Sequence, residues 1–165
     1  MSQGVARMGQ IVFSSPEVTE LSCLGLGSCI GLCVADPKLK VVCVAHVVLP
    51  QSRSADTPEP AKYADTAIPH VIKELTSRGA RKERLRAAIV GGAQLFSFSG
   101  ANESMDVGKR NIEAVKKHLA DNRISVVAED VGGRQGRTVV MDAKTGDIVV
   151  KQSGATERWL TNLLS

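Results

Sequence analysis

Two apolar segments separated by a short polar turn constrain this chain more than anything else in it. "SCIGLCVAD" and "KVVCVAHVVLP" are both rich in β-branched and small apolar residues, with "DPKLK" between them. They predict a β-hairpin whose second arm stops at Pro50, which has no N–H to give to a ladder. The first arm carries an oddity. It is apolar enough to bury, yet Gly25, Gly27 and Ser28 lead directly to Cys29. Glycine in a strand marks a bulge or a close approach of backbone, so the cysteine is set on thin backbone for a reason.

The remaining pattern builds outward from this hairpin. "GQIVFSS" reads as a first strand and "VTELSCLG" as a second. "QSRSADTPEP" is a polar, proline-rich loop of the kind that borders binding sites. "AKYADTAIPHVIKELTSRGA" has Ile68, Ile72 and Leu75 at helical spacing, Pro69 near or within its first turn, and Gly79 where a C-cap belongs. "RAAIVGG" is a buried strand followed by a glycine turn. "GKRNIEAVKKHLADN" is a second helix through Ile112, Val115 and Leu119. "ISVVAEDVGG" is another strand, and "RTVVMDAKTGDIVVK" a hairpin turning at 144–147. The expected architecture is α+β, a layered sandwich of largely antiparallel mixed sheet with packed helices, in one domain over 1–165. Residues 155–165, "ATERWLTNLL" and its end, read as a short amphipathic helix or tail.

Composition closes off several functions. No apolar run approaches the roughly 18 residues of a membrane span, and "MSQGVARMGQ" has no apolar signal core. The expectation is a cytoplasmic protein without membrane insertion. The formal net charge of +4 is spread thinly, with its densest cluster in "RGARKERLR". Aromatics at 3% leave little to stack on bases, which argues against nucleic acid as a partner. Cys23, Cys29, Cys33 and Cys43 form no CxxC pair and have no histidine at zinc spacing, so no metal is expected.

Reactivity is the better question for these thiols. A cysteine becomes a nucleophile when a base takes its proton. His118 lies in the lysine-rich run "VKKHLAD" and His70 follows Pro69 off the apolar stripe, so both read as solvated helix positions. His46 sits among apolar strand residues, where a lone histidine would ordinarily be a satisfied core residue. The hairpin changes that. It brings Cys29 and His46 to the same open end of neighbouring strands, where nearly opposite Cβ atoms are about 5 Å apart. "GLGSC" then offers small side chains for substrate access and backbone N–H groups, those around Gly27, Ser28 and Cys29, for an oxyanion. Cys33 and Cys43 lie deeper in the strands and read as small buried hydrophobes.

"LGLGSCIGLCVAD", "AHVVLP", "KYADTAIP", "IVGGAQLF", "VGKRN", "DVGGRQGRTVV" and "TGDIVV" occur in that order. Together they resemble the CheD family, the chemoreceptor glutamine deamidases of bacterial chemotaxis, over nearly the whole chain. The resemblance implies a fold similar to cysteine deamidase toxins and hydrolysis of chemoreceptor glutamine side chains to glutamate with release of ammonia. It implies Cys29 as nucleophile, His46 as base, no cofactor, and the cytoplasmic domains of chemoreceptors as partners. It also implies association with a CheC-type phosphatase, and a non-catalytic role bound to CheC or the receptors is the alternative function. A redox pair of Cys23 and Cys29 is a third, which a reducing compartment disfavours.

One position departs from the family pattern. A threonine commonly stands six residues before the cysteine as a third catalytic member, and here that residue is Cys23. Three groups compete to orient His46: the Cys23 sulfur, Ser22 if the strand is irregular, or a backbone carbonyl. Period-two alternation favours Cys23 over its neighbour.

Overall fold

The computed structural model describes residues 2–95 and 106–165. Among them lie two α-helices and ten strands, arranged in two five-stranded sheets. The first sheet has the order β1 (Ser2–Val5), β3 (Val18–Leu26), β8 (Arg137–Asp142), β9 (Asp147–Gln152), β10 (Glu157–Asn162). The second runs β2 (Ile11–Phe13), β5 (Val41–Val47), β4 (Ile30–Asp36), β6 (Arg86–Gly91), β7 (Ser125–Val131). Both are mixed, because β1–β3 and β6–β7 pair parallel while the other neighbours are antiparallel. Helices α1 (Ala64–Ser77) and α2 (Val107–Asp121) cover the outer face of the second sheet, so the fold is α+β with layers sheet, sheet, helices.

The predicted hairpin is the middle of this stack. Its β4 and β5 pair antiparallel from Ile30–Val47 to Asp36–Val41. Alternation splits each strand between two cores. Ile30, Leu32, Val34, Cys43, Ala45 and Val47 pack on the helices. Cys29, Cys33, Ala35, Val42 and Val44 pack against the other sheet, on Leu21, Cys23, Val139 and Met141. Strands covered on both faces need apolar residues at every position, which is why these two segments lack a polar face. Asp36 ends the first arm fully buried. Burial alone would raise its carboxyl, but the Arg84 guanidinium and the N–H groups of Arg81, Leu39 and Lys38 hold it at about 2.

Helix α1 starts at Ala64 and keeps Pro69 inside it. Gly79, at φ +99°, follows the C-cap residue Arg78, and the Ala80 N–H returns to the Leu75 carbonyl, as the glycine stop predicts. Two expectations change. The stretch "GQIVFSS" holds the second strand, not the first; the polar, patternless Ser2–Val5 precedes it as an edge strand parallel to β3. Residues 157–162 form strand β10 instead of a helix. The exposed edge of β9 offers a row of unpaired backbone groups, and pairing with it outweighs a helical pattern of only ten residues. Asn162 and Trp159 both donate to the Asp147 carboxylate across that pair. Of the quoted segments, Met1 of "MSQGVARMGQ" and Phe96, the last residue of "IVGGAQLF", lie outside the described residues.

Gly31 explains part of the small-residue run. A Cβ there would stand 2.9 Å from Val139 Cγ1 and 3.0 Å from Leu26 Cδ1 across the inter-sheet space. The two sheets touch at this point only because the side chain is missing. Gly31→Ala is therefore expected to destabilise by about 1–3 kcal/mol, the usual cost of overpacking. Urea denaturation measures it, and unchanged stability would show that the sheets can part here freely.

Candidate active site

Cys29 stands one residue ahead of the last β4–β5 ladder pair, Ile30–Val47. The next pair, Gly31–His46, puts the imidazole two residues along from the thiol. Ile30 and Val47 face the helices, so Cys29 and His46 both face the other sheet. They are diagonal neighbours, roughly 7 Å apart at the backbone and within reach through their side chains. The hairpin predicts nearly opposite placement; the register sets the two residues diagonally on the ladder and on one face.

The segment bearing Cys29 is held by backbone. Gly92 N–H donates to the Cys29 carbonyl at 2.9 Å and Ala93 N–H to the Gly27 carbonyl at 2.8 Å. Gly91, at φ +117°, lets β6 pass so close that any Cβ would run into the Cys29 carbonyl oxygen. Gly27 and Ser28 are half-buried, and the Cys29 N–H meets no backbone carbonyl among the described residues. That amide is free to face a developing oxyanion.

His46 is buried, at 5% exposure, and its Nδ1 lies 2.9 Å from the Ala6 carbonyl oxygen. A carbonyl only accepts, so Nδ1 carries the proton and Nε2 is left as the basic nitrogen. Ala6 is fixed in turn, because its own N–H donates to the Ser22 carbonyl at 2.8 Å. The His46 backbone is gripped on both sides, its N–H donating to Gln10 and its carbonyl accepting from Gly9. Neither orienting side chain considered from the sequence occupies Nδ1; the backbone carbonyl does.

Cys23 is fully buried and packs with Cys29 in the inter-sheet core. Its Cβ would be 3.6 Å from a Cβ on Gly31, directly over the residue paired with His46. Ser22, its neighbour, is also buried, and by strand alternation its side chain leaves β3 on the face opposite to Leu21 and Cys23. His70 and His118 sit half-buried on α1 and α2, away from these strands. Cys33 and Cys43 are fully buried core residues.

Electrostatics favour a neutral resting pair. Burial raises the Cys29 thiol above its ordinary value. Burial lowers the His46 imidazole, with the Ala6 carbonyl working weakly against it. Burial raises the Cys23 thiol well above its ordinary value, and the nearby Cys33 and Cys29 add to the shift. Burial pushes Cys33 up to about 12. Of the four thiols, Cys29 alone has both partial access and an imidazole on its face.

Asn111 was not anticipated. It is wholly buried on α2, and its Nδ2 donates to the Ser28 carbonyl at 2.9 Å and the Val48 carbonyl at 2.8 Å. The available signal was its place on the buried stripe of that helix, four residues before Val115. Ala6 carried no signal, since it acts through its backbone.

The family model described as CheD chemotactic sensory transduction matches residues 48–152. That span starts just after His46, but the similar proteins extend further. A probable chemoreceptor glutamine deamidase CheD of Clostridium botulinum is 43% identical over 152 residues, 92% of this chain and 91% of its own. The chemoreceptor glutamine deamidase CheD of Thermotoga maritima is 47% identical over 135 residues, 82% and 83% of the two chains. That of Bacillus licheniformis is 44% identical over 129 residues, 77% of each. Such identity over most of both lengths, together with the matched domain, places this chain in the CheD family.

Proposed function

We propose that this protein is a chemoreceptor glutamine deamidase working through Cys29 and His46. The observation that carries the mechanism is the imidazole itself, buried on the same sheet face as the thiol with Nδ1 committed to the Ala6 carbonyl. Relatives bearing the name of the activity supply the substrate class. Exposed Leu24 and Leu95, on the segments that bracket Cys29, suit a protein surface rather than a small molecule.

The substrate carboxamide carbon is attacked by the Cys29 sulfur as its proton passes to His46 Nε2. The carbonyl oxygen becomes an oxyanion held by the Cys29 N–H and its neighbours at Gly27 and Ser28. Imidazolium returns the proton to the departing nitrogen, and ammonia leaves a thioester. Water then attacks that thioester with His46 again as base. Glutamate is released and the thiol restored. Orientation of His46 falls to the Ala6 carbonyl, so Cys23 contributes packing rather than a hydrogen bond.

Incubation with chemoreceptor cytoplasmic domains, followed by mass-spectrometric mapping of amide-to-acid conversions, is the direct test. Conversions are expected with the native protein and absent with Cys29→Ser; turnover in that variant would remove the nucleophile from the scheme. His46→Ala should cost at least about a hundredfold, the ordinary worth of a general base. The pH profile carries a sign. Neutral imidazole is the active form and its pKa is lowered, so kcat/KM should fall with acid at a midpoint below the usual histidine value of about 6.5. A midpoint above that value would mean that the resting pair is ionic.

Position 23 separates the orienting groups. With Ala6 holding Nδ1, Cys23→Ala should keep the rate within about threefold, well under the worth of a catalytic contact, and lose stability instead. A crippled Cys23→Ala rescued by Cys23→Thr would hand the orienting role to that side chain.

A further inference from the structure

We propose that Asn111 is the positioning residue that sets the separation of Cys29 and His46, an inference that rests on the Cys–His mechanism above. The two strands part where the chemistry occurs. Beyond Ile30–Val47 the ladder stops, and each chain finds other partners. Val48 and Leu49 N–H both turn to the Lys62 carbonyl, and the Ala64 N–H caps the Leu49 carbonyl. On the other side, Gly27 and Cys29 are drawn toward Ala93 and Gly92. No backbone bond therefore ties the nucleophile's strand to the base's strand at the level of Cys29.

One side-chain amide spans that fork. Both protons of Asn111 Nδ2 are used, one on Ser28, adjacent to the nucleophile, and one on Val48, two residues past the base. The orientation is unambiguous, since the flipped amide would set Oδ1 against two carbonyl oxygens. Helix α2 cannot drift away from this point. Its Gly108 lies so near β6 that a Cβ would stand 2.6 Å from the Gly92 carbonyl, and Asp106 caps its first turn through the Lys109 N–H.

The residue also pays a cost that packing alone would not require. Oδ1 is buried with no hydrogen-bond partner, the one such side-chain atom among the described residues. Val115 and Leu119 fill the same stripe with hydrocarbon, and a leucine at 111 would leave no orphaned acceptor. The polar group persists because the fork needs two donors. Misplacing a reacting atom by about 1 Å can cost a hundredfold, so fixing this gap is a catalytic requirement.

The test compares native protein, Asn111→Leu, which keeps volume and loses both donors, and Asn111→Ser, which keeps one donor should the first fold poorly. Deamidation of a chemoreceptor cytoplasmic domain gives kcat and KM, and iodoacetamide labelling gives the pH dependence of Cys29 alkylation. Among the described residues, the titratable and charged groups on the inter-sheet faces packed around that thiol are His46 from β5, Cys23 from β3, Cys33 along β4 and, from β8, Arg137, which reaches the Gly91 carbonyl and pairs with Asp130 of β7. Asn111→Leu should lower kcat at least about tenfold with KM within about twofold, and shift the alkylation profile toward that of His46→Ala. Asn111→Ser should fall between. A native alkylation profile and kcat in either folded variant, with only thermal stability reduced, would overturn the positioning role. If native Cys29 alkylation is indifferent to His46→Ala, the dyad itself fails and takes this inference with it. Dependence on His46 without dependence on Asn111 sinks the inference alone.

Discussion

The bond from His46 Nδ1 to the Ala6 carbonyl joins two sheets across a largely hydrocarbon core, at a different place from the Asp130 carboxylate that Arg137 and Arg158 hold across the same gap. His46 belongs to β5 in the second sheet, while Ala6 continues β1 along the first and is fastened there by Ser22. The short segment from Ala6 to Gln10 crosses between the sheets and meets His46 three times, at its ring, its N–H and its carbonyl. Little freedom remains for the imidazole. Its tautomer and its depth are set by the backbone of the connection between β1 and β2, which Ala6 fastens to Ser22 and Gln10 to Arg7, so no side chain has to be spent on aligning it.

On the mechanism proposed above, that arrangement decides what kind of nucleophile Cys29 would be. A thiol paired in advance with imidazolium needs water or charges nearby to support the ions. Here burial raises one pKa and lowers the other, and both shifts favour thiol beside imidazole over the ion pair. In the proposed mechanism charge appears only when a substrate amide arrives and the proton moves, at which point the oxyanion and imidazolium stabilise each other. Geometry then matters more than standing charge. A fixed strand separation at the Cys29 level, the role proposed for Asn111, fits such a site better than an electropositive surround would.

The legible and illegible parts of this fold divide along a physical line. The hairpin from Ile30 to Val47, the two helices and the β8–β9 pair announce themselves because periodicity and turn chemistry are local. Cys29 and His46 stand out for the same reason, being unusual residue types in strands whose pairing is set by one short turn. What escaped depends on partners far away in sequence. Ala6 offers only a carbonyl, and its use follows from 40 residues of intervening chain returning to it. Asn111 reaches Ser28 across 83 residues, and nothing in "VGKRN" states where its amide goes. Strand β10 exists because β9 has an open edge, a fact of tertiary structure that outweighs the helical spacing of Trp159, Leu160, Leu163 and Leu164.

Position 23 shows how these constraints interact. The family resemblance implies a threonine there, and cysteine is close to threonine in size but a far weaker hydrogen-bond partner. If the side chain at 23 oriented the base, the exchange would weaken the site. The Ala6 carbonyl removes that demand, because the only proton on Nδ1 is already accepted by oxygen at 2.9 Å. What stays fixed at 23 is shape: a fully buried residue whose Cβ faces Gly31 at the tightest point between the sheets, next to Cys29 and Val139. A small, compact side chain fits that gap whether it ends in a hydroxyl or a thiol. On the proposed mechanism chemistry is released at this position while volume is not, and the residue that departs from the family pattern serves there as a piece of core.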